Sequence, residues 1–227
     1  WQKIDTPDLT KFCPKSKFSV ESLWSKISDL ISSVTDTGYR GVLDNFFMNE
    51  EFRRKFLEHS AANKVHHACI GGLAQHTFFV TNICARLAKL YQLDYDLAVT
   101  AALLHDIGKL SELSDFPDNA YTVEGTFYGH ISEGAYQVRK VCENIPDMTH
   151  DKTLNLVHCI LAHHGQLEFG SPVLPAISEA LLLHFADSID AKLQIGFEQL
   201  DTEAGARNWY LGTSFYPTER SENIDRG

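Results

Sequence analysis

The stretch "AALLHDIGKL", residues 101–110, constrains the fold more than any other part of the chain. Four apolar residues lead into His105 and Asp106, and so greasy a segment belongs in a protein interior. Burying an imidazole and a carboxylate there is costly unless partners satisfy both. A metal ion would satisfy them together, since neutral histidine and ionised aspartate are the forms that ligate. The fold must then bring further ligands to the end of this segment.

The rest of the chain reads as helix after helix. "SVESLWSKISDLISSV" puts Leu23, Ile27, Leu30, Ile31 and Val34 on one face, with Ser19 as N-cap. "LDNFFMNEEFRRKFLEHS" reads as two short helices broken near Asn49. Gly71-Gly72 opens a helix whose stripe of Leu73, Val80, Ile83, Leu87 and Leu90 carries His76 on the same side. Further helices are expected over 96–109, over about 128–143 with His130 near the start, and over about 151–163 with Gly165 as the stop. A long one follows in "SEALLLHFADSIDAKLQIGFEQL". Residues 111–126 and 165–176 read as loops. Beyond residue 200 the periodicity fades, but Trp209, Tyr210, Phe215 and Tyr216 remain, and an ordered tail packed on the core is preferred to an aromatic flap. No series of alternating strands is found, so the fold class is all-α. The expected organisation is an N-terminal helical extension over 1–60, a core over 61–200 and an aromatic C-terminal tail over 201–227.

Thirty acidic residues against 20 basic ones leave a formal charge of −10. That argues against a broad electrostatic footprint for nucleic acid and leaves room for a local cationic cleft or a basic partner domain outside this chain. Five cysteines with no CxxC read as reduced thiols rather than a disulfide framework or a zinc finger, and Cys84, Cys142 and Cys159 read as small core residues. No run approaches the ~20 apolar residues of a membrane span. A cytoplasmic protein is expected.

Eleven histidines are a rich supply. His76, His105, His130, His163 and His164 join Asp106 and Asp187 in a set spread over several helices, and a bundle can aim such residues at one point in its core. Two or more imidazoles per ion with a shared carboxylate favour Mn, Fe, Co, Ni or Zn over an all-oxygen Mg site. Lys109, one turn beyond His105, is either a phosphate contact or ordinary charge complementarity at a helix end. His59, His150 and His158 read as packing or surface residues. His184, three residues before Asp187 on the same face, also reads as packing, with support of the site as the alternative. For His66 and His67, substrate contact and packing stand level.

The pattern "H…HD…H…HH…D" resembles the HD-domain metal-dependent phosphohydrolase superfamily. "HHACIGGLAQHT", "ALLHDIGKLSEL", "YTVEGTFYGHISEGA", "LAHHGQLEFGSPVLP" and "EALLLHFADSIDAKL" are similar, in that order, to blocks of its YhaM-type 3′-5′ exoribonuclease branch, from about residue 61 to 193. The resemblance implies an HD-domain helical bundle with the metal site in its core. His76, His105, Asp106 and Asp187 match the core ligand set, and His130, His163 and His164 match the histidines that accompany a second metal. One or two divalent ions per chain are implied, with Mn, Fe, Co or Ni ahead of Mg or Zn. Asp106 would lie between the ions, Lys109 would face phosphate, and His66, His67 and the 165–176 loop would shape the substrate entrance. The implied activity removes nucleotides from the 3′ end of single-stranded RNA, and often DNA, leaving 5′-monophosphates. A nucleotidase or nucleotide phosphohydrolase is the alternative. A non-catalytic HD module would be marked by lost ligands, and none is lost. Such exonucleases carry an OB-fold domain ahead of the HD unit; no strand-rich pattern of that kind is read here.

Overall fold

The computed structural model describes residues 14–63 and 67–218. Nine α-helices account for most of them: α1 (Val20–Ser32), α2 (Thr37–Phe47), α3 (Glu50–Glu58), α4 (Gly72–Tyr91), α5 (Tyr95–Leu104), α6 (Lys109–Glu112), α7 (Val123–Cys142), α8 (His150–Ala162) and α9 (Ser178–Thr202). The strands β1 (Arg207–Asn208) and β2 (Thr213–Ser214) pair antiparallel in a two-stranded hairpin. The class is all-α.

Local chemistry sets many of the boundaries. The Ser19 side chain accepts from the Ser22 amide at the start of α1, and Leu23, Ile27 and Ile31 bury its inner face. Asn49 separates α2 from α3 by accepting from the amides of Glu51 and Phe52. Phe47 and Phe56 then meet edge to face, 5.2 Å between ring centroids, and tie the two short helices together.

At the centre lies α5, buried from Leu97 to Leu104 on every side. A helix apolar all round is stable only when neighbours cover all of it. Here α4, α8 and α9 pack on it, together with α1 and α2. Its C-terminal end therefore opens inside the bundle, and His105 and Asp106 arrive there almost fully buried.

Two expectations need correction. The helix expected over 96–109 stops at Leu104, because the chain tightens into i→i+3 bonds: Ile107 N–H to Leu104, and Lys109 N–H to Asp106. Gly108 closes this turn against α7, where a Cβ would overlap the His130 carbonyl oxygen. The helix expected from about 128 starts at Val123, since Thr122 caps it by accepting from the Gly125 amide. Gly129 breaks α7 with φ 68° and ψ 155°, a left-handed value that glycine adopts without strain. The segment carrying His130 thus does begin near that residue.

The segment after α9 continues as the hairpin, with Phe215 lying over Gly196 of α9. Cys84, Cys142 and Cys159 are buried and free, and Cys69 is free and half-buried. Among the described residues no helix is long and apolar enough to cross a membrane. His66 lies outside the described residues.

Candidate metal centre

The seven histidines and aspartates picked out by spacing converge at the inner end of α5. The Nε2 atoms of His76 and His105 are 3.2 Å apart, and Asp187 Oδ1 is 3.2 Å from the first. Asp106 Oδ2 stands 3.4 Å from His76 Nε2 and 3.3 Å from His105 Nε2. The other oxygen of the same carboxylate faces a second group: Asp106 Oδ1 is 3.5 Å from His130 Nε2 and 3.6 Å from His163 Nε2. His130, His163 and His164 can together offer ligand atoms to one ion, as can His76, His105 and Asp187. Asp106 thus sits between two ligand sets and presents one oxygen to each.

Hydrogen bonds turn every one of these imidazoles the same way. The Nδ1 atoms face Asp190 (2.6 Å) from His76, the Ala102 carbonyl (2.8 Å) from His105 and Glu112 (2.9 Å) from His130. Those of His163 and His164 face the carbonyls of Ile160 and Phe169, both at 2.7 Å. Each acceptor calls for an N–H on Nδ1, so each neutral ring aims an Nε2 lone pair at the centre. Acceptors then face acceptors. Asp106 Oδ1, His130 Nε2 and His163 Nε2 are buried with no hydrogen-bond partner among the described residues. An unpaired buried polar atom is expensive, and a cation is what satisfies three lone pairs at once. The donor set fits a divalent metal.

The Asp106 carboxylate already has a cation beside it. Lys109 Nζ lies 2.7 Å from Asp106 Oδ2. Burial pushes the Asp106 carboxyl up, but the Lys109 ammonium and His105 outweigh it and hold it well below the usual carboxylate range. Burial pushes His163 down, and His164 and His105 push it further, so its ring is neutral at pH 7. His76 goes the other way. Burial lowers it, yet Asp106, Asp187 and Asp190 together hold it well above the ordinary imidazole value.

A pH dependence follows. Below its raised value the metal-free His76 keeps a proton on each nitrogen, and an ion must displace the one on Nε2. Divalent metal binding at pH 7 is expected to release at least one proton, and apparent affinity should climb about tenfold per pH unit until the raised value is passed. Calorimetric titration of Mn²⁺ in buffers of different ionisation heat reads the proton count. A buffer-independent heat would contradict the geometry at His76.

Two contributors escaped the sequence reading. Asp190, three residues after Asp187, accepts from both His76 and His67, the latter at 2.9 Å. Glu112 accepts from the His130 ring and from its backbone amide at 3.1 Å, an N–H that the break at Gly129 frees. The only hint in the sequence is the position of Asp190, an acidic residue one turn after Asp187 on the same long helix; Glu112, in a segment read as loop, gives none. His67 is buried behind His76 and bound to Asp190, away from the entrance expected for it. His59, read as packing, is buried with Nε2 3.0 Å from the Lys109 carbonyl. His184 Nδ1 lies 3.1 Å from the His163 carbonyl, and its ring lines the cleft over the centre. His158 accepts from the Ala176 amide, and His150 begins α8.

The centre opens to solvent through a cleft of about 770 Å³, lined by His76, Lys109, His130, His164 and Asp187 among others. A helical bundle gathering histidines around an His-Asp pair is the architecture of a metal-dependent hydrolase. The chain belongs to the HD domain family, whose model matches residues 73–192. This places it among the metal-dependent phosphohydrolases. It is 39% identical over 150 residues to the 3′-5′ exoribonuclease YhaM of Bacillus subtilis, covering 66% of this chain and 48% of that protein. With the 3′-5′ exoribonuclease YhaM of Bacillus licheniformis it shares 40% identity over 147 residues, covering 64% and 46%. The chain thus spans about half the length of the curated relatives it matches. No solved structure matches it.

Proposed function

We propose that the chain is a 3′-5′ exonuclease that releases 5′-mononucleotides from single-stranded RNA, with DNA as a second substrate. The observation that carries this reading is the shared carboxylate: Asp106 divides its oxygens between two histidine sets at the floor of an open cleft. The names of the relatives supply the polymer and the direction. His76, His105, Asp106 and Asp187 would hold one divalent ion, and Asp106, His130, His163 and His164 a second. Imidazole-rich donors favour Mn, Fe, Co, Ni or Zn over Mg there, and the family resemblance puts Mn, Fe, Co or Ni first. Bound ions would supply Lewis acidity at phosphorus and a water of lowered pKa.

The chain's own side chains do the rest. Asp190, Glu112 and three backbone carbonyls fix the histidine tautomers before substrate arrives. Lys109 offers an ammonium to the charge that grows on the phosphoryl oxygens. Hydrolysis adds a water oxygen to phosphorus and breaks the bond to the 3′ oxygen of the penultimate nucleotide, leaving a new 3′ hydroxyl on the strand. The site of action is the cytoplasm, in keeping with the free thiols.

A second reading, a nucleotidase on small nucleotides, is favoured by the −10 charge. A 5′-labelled single-stranded RNA 20-mer and free nucleotides, each with Mn²⁺, separate the two. The expected result is a ladder shortening from the 3′ end and abolished by EDTA. Turnover of mononucleotides alone would move the assignment to the nucleotidase.

A further inference from the structure

The cleft holds more than its metal-facing floor. Three aromatic side chains line it, Tyr121, Phe169 and Tyr210, at 61%, 61% and 50% exposure. Burying rings of this size is worth a good deal to a fold, so three of them left open in one concavity are unusual. None hangs on a loose segment. The Phe169 carbonyl accepts from His164 Nδ1. Tyr121 is bridged to Leu113, and the amide after it donates to the Glu112 carbonyl. Tyr210 sits in the tail hairpin, which Asn208 ties to Gln199 of α9. Among the described residues, neither Tyr121 nor Phe169 stacks on another ring. The lysines of the cleft are Lys109 on the floor and Lys192 on α9, and Lys192 is exposed with no carboxylate in ion-pair reach among the described residues.

We propose that this rim is a nucleobase-stacking subsite. Tyr121, Phe169 and Tyr210 present faces to the last bases of a single strand, and Lys192 meets a backbone phosphate upstream of the scissile one. The inference rests on the exonuclease reading and deepens it. A mononucleotide has one base and would use one ring; three rings and a second lysine suit a polymer. Stacking is indifferent to base identity, as an enzyme that works inward from any 3′ end requires. It also lets an acidic chain hold RNA with few phosphate contacts, so binding depends only weakly on salt.

The test compares two 5′-labelled RNA 12-mers, one normal and one whose three 3′-terminal nucleotides lack bases. The wild type is expected to show a KM at least about 5-fold lower for the normal strand. Phe169→Ala, Tyr210→Ala and Tyr121→Ala should each move that ratio toward one, and Phe169→Tyr should keep it. Because both strands are read on the same variant, a defect in folding or metal loading scales both and leaves the ratio alone. Lys192→Ala should flatten the salt dependence of KM. A wild type that shortens RNA with equal KM for the two strands, or variants that keep the full ratio, overturn the stacking subsite alone. A wild type that fails to shorten RNA overturns the exonuclease reading and the subsite with it.

Discussion

Asp106→Asn is expected to lower turnover at least about 10³-fold and, if the proposed centre holds two ions, to leave one ion or none. The amide keeps the shape of the carboxylate but offers one acceptor oxygen and no charge, so it cannot serve both histidine sets. Each ion held there would supply several kcal/mol of charge stabilisation at phosphorus, and each 1.36 kcal/mol is a factor of ten in rate. Asparagine is a better choice than alanine here. Lys109 Nζ is 2.7 Å from Asp106, and asparagine keeps an oxygen for this ammonium to donate to, where alanine would leave it without an acceptor and mix a larger folding defect into the measurement. Metal content by mass spectrometry of the intact protein, read beside kcat on a phosphodiester, gives the result. Wild-type turnover in Asp106→Asn would remove the shared carboxylate from the mechanism.

The cluster was legible in the sequence to the depth of its seven histidines and aspartates. His105 and Asp106 stand out because burying them at the end of an apolar run demands a partner, and the other five stand out as histidines and an aspartate spread over several helices of one bundle. The supporting layer did not. Asp190 looks like any acidic residue near a ligand, and nothing in linear spacing says that its partner is the Nδ1 of His76, 114 positions away. Glu112 fell in a segment read as loop, and its role depends on an amide freed by the glycine break in α7. Even His59 was set aside, though it supports the turn that carries Lys109. Side chains that orient ligands leave no periodic trace, because they are chosen by tertiary proximity alone.

The helices themselves divide in the same way. Where a cap and an apolar stripe coincide, as at Ser19 and Asn49, the boundary was visible from local chemistry. The end of α5 was not, because the one helix-breaking residue nearby, Gly108, lies four positions past it. What stops the helix is the approach of α7, which Gly108 admits by lacking a Cβ. That close approach also brings His130 to Asp106, so the misread boundary and the metal geometry have one cause.

Lys109→Met is the companion test, with an expected loss of roughly 10²–10³-fold in kcat and full metal content retained. Two roles compete for this residue. As a counter-ion it balances Asp106 in the metal-free centre, where the Asp106 carboxylate overcomes burial and keeps the ammonium firmly protonated. As a phosphate contact it acts only when substrate is bound. Ions held by the two histidine sets would themselves neutralise Asp106, so a pure counter-ion would become dispensable and its loss would show only as a lower melting temperature without metal. A phosphate contact has no such substitute. Lys109→Arg should recover part of the rate but not all of it, because a planar fork replaces a compact point charge. Wild-type kcat in Lys109→Met at full metal content would leave Lys109 with charge balance alone and hand the phosphoryl oxygens entirely to the metals.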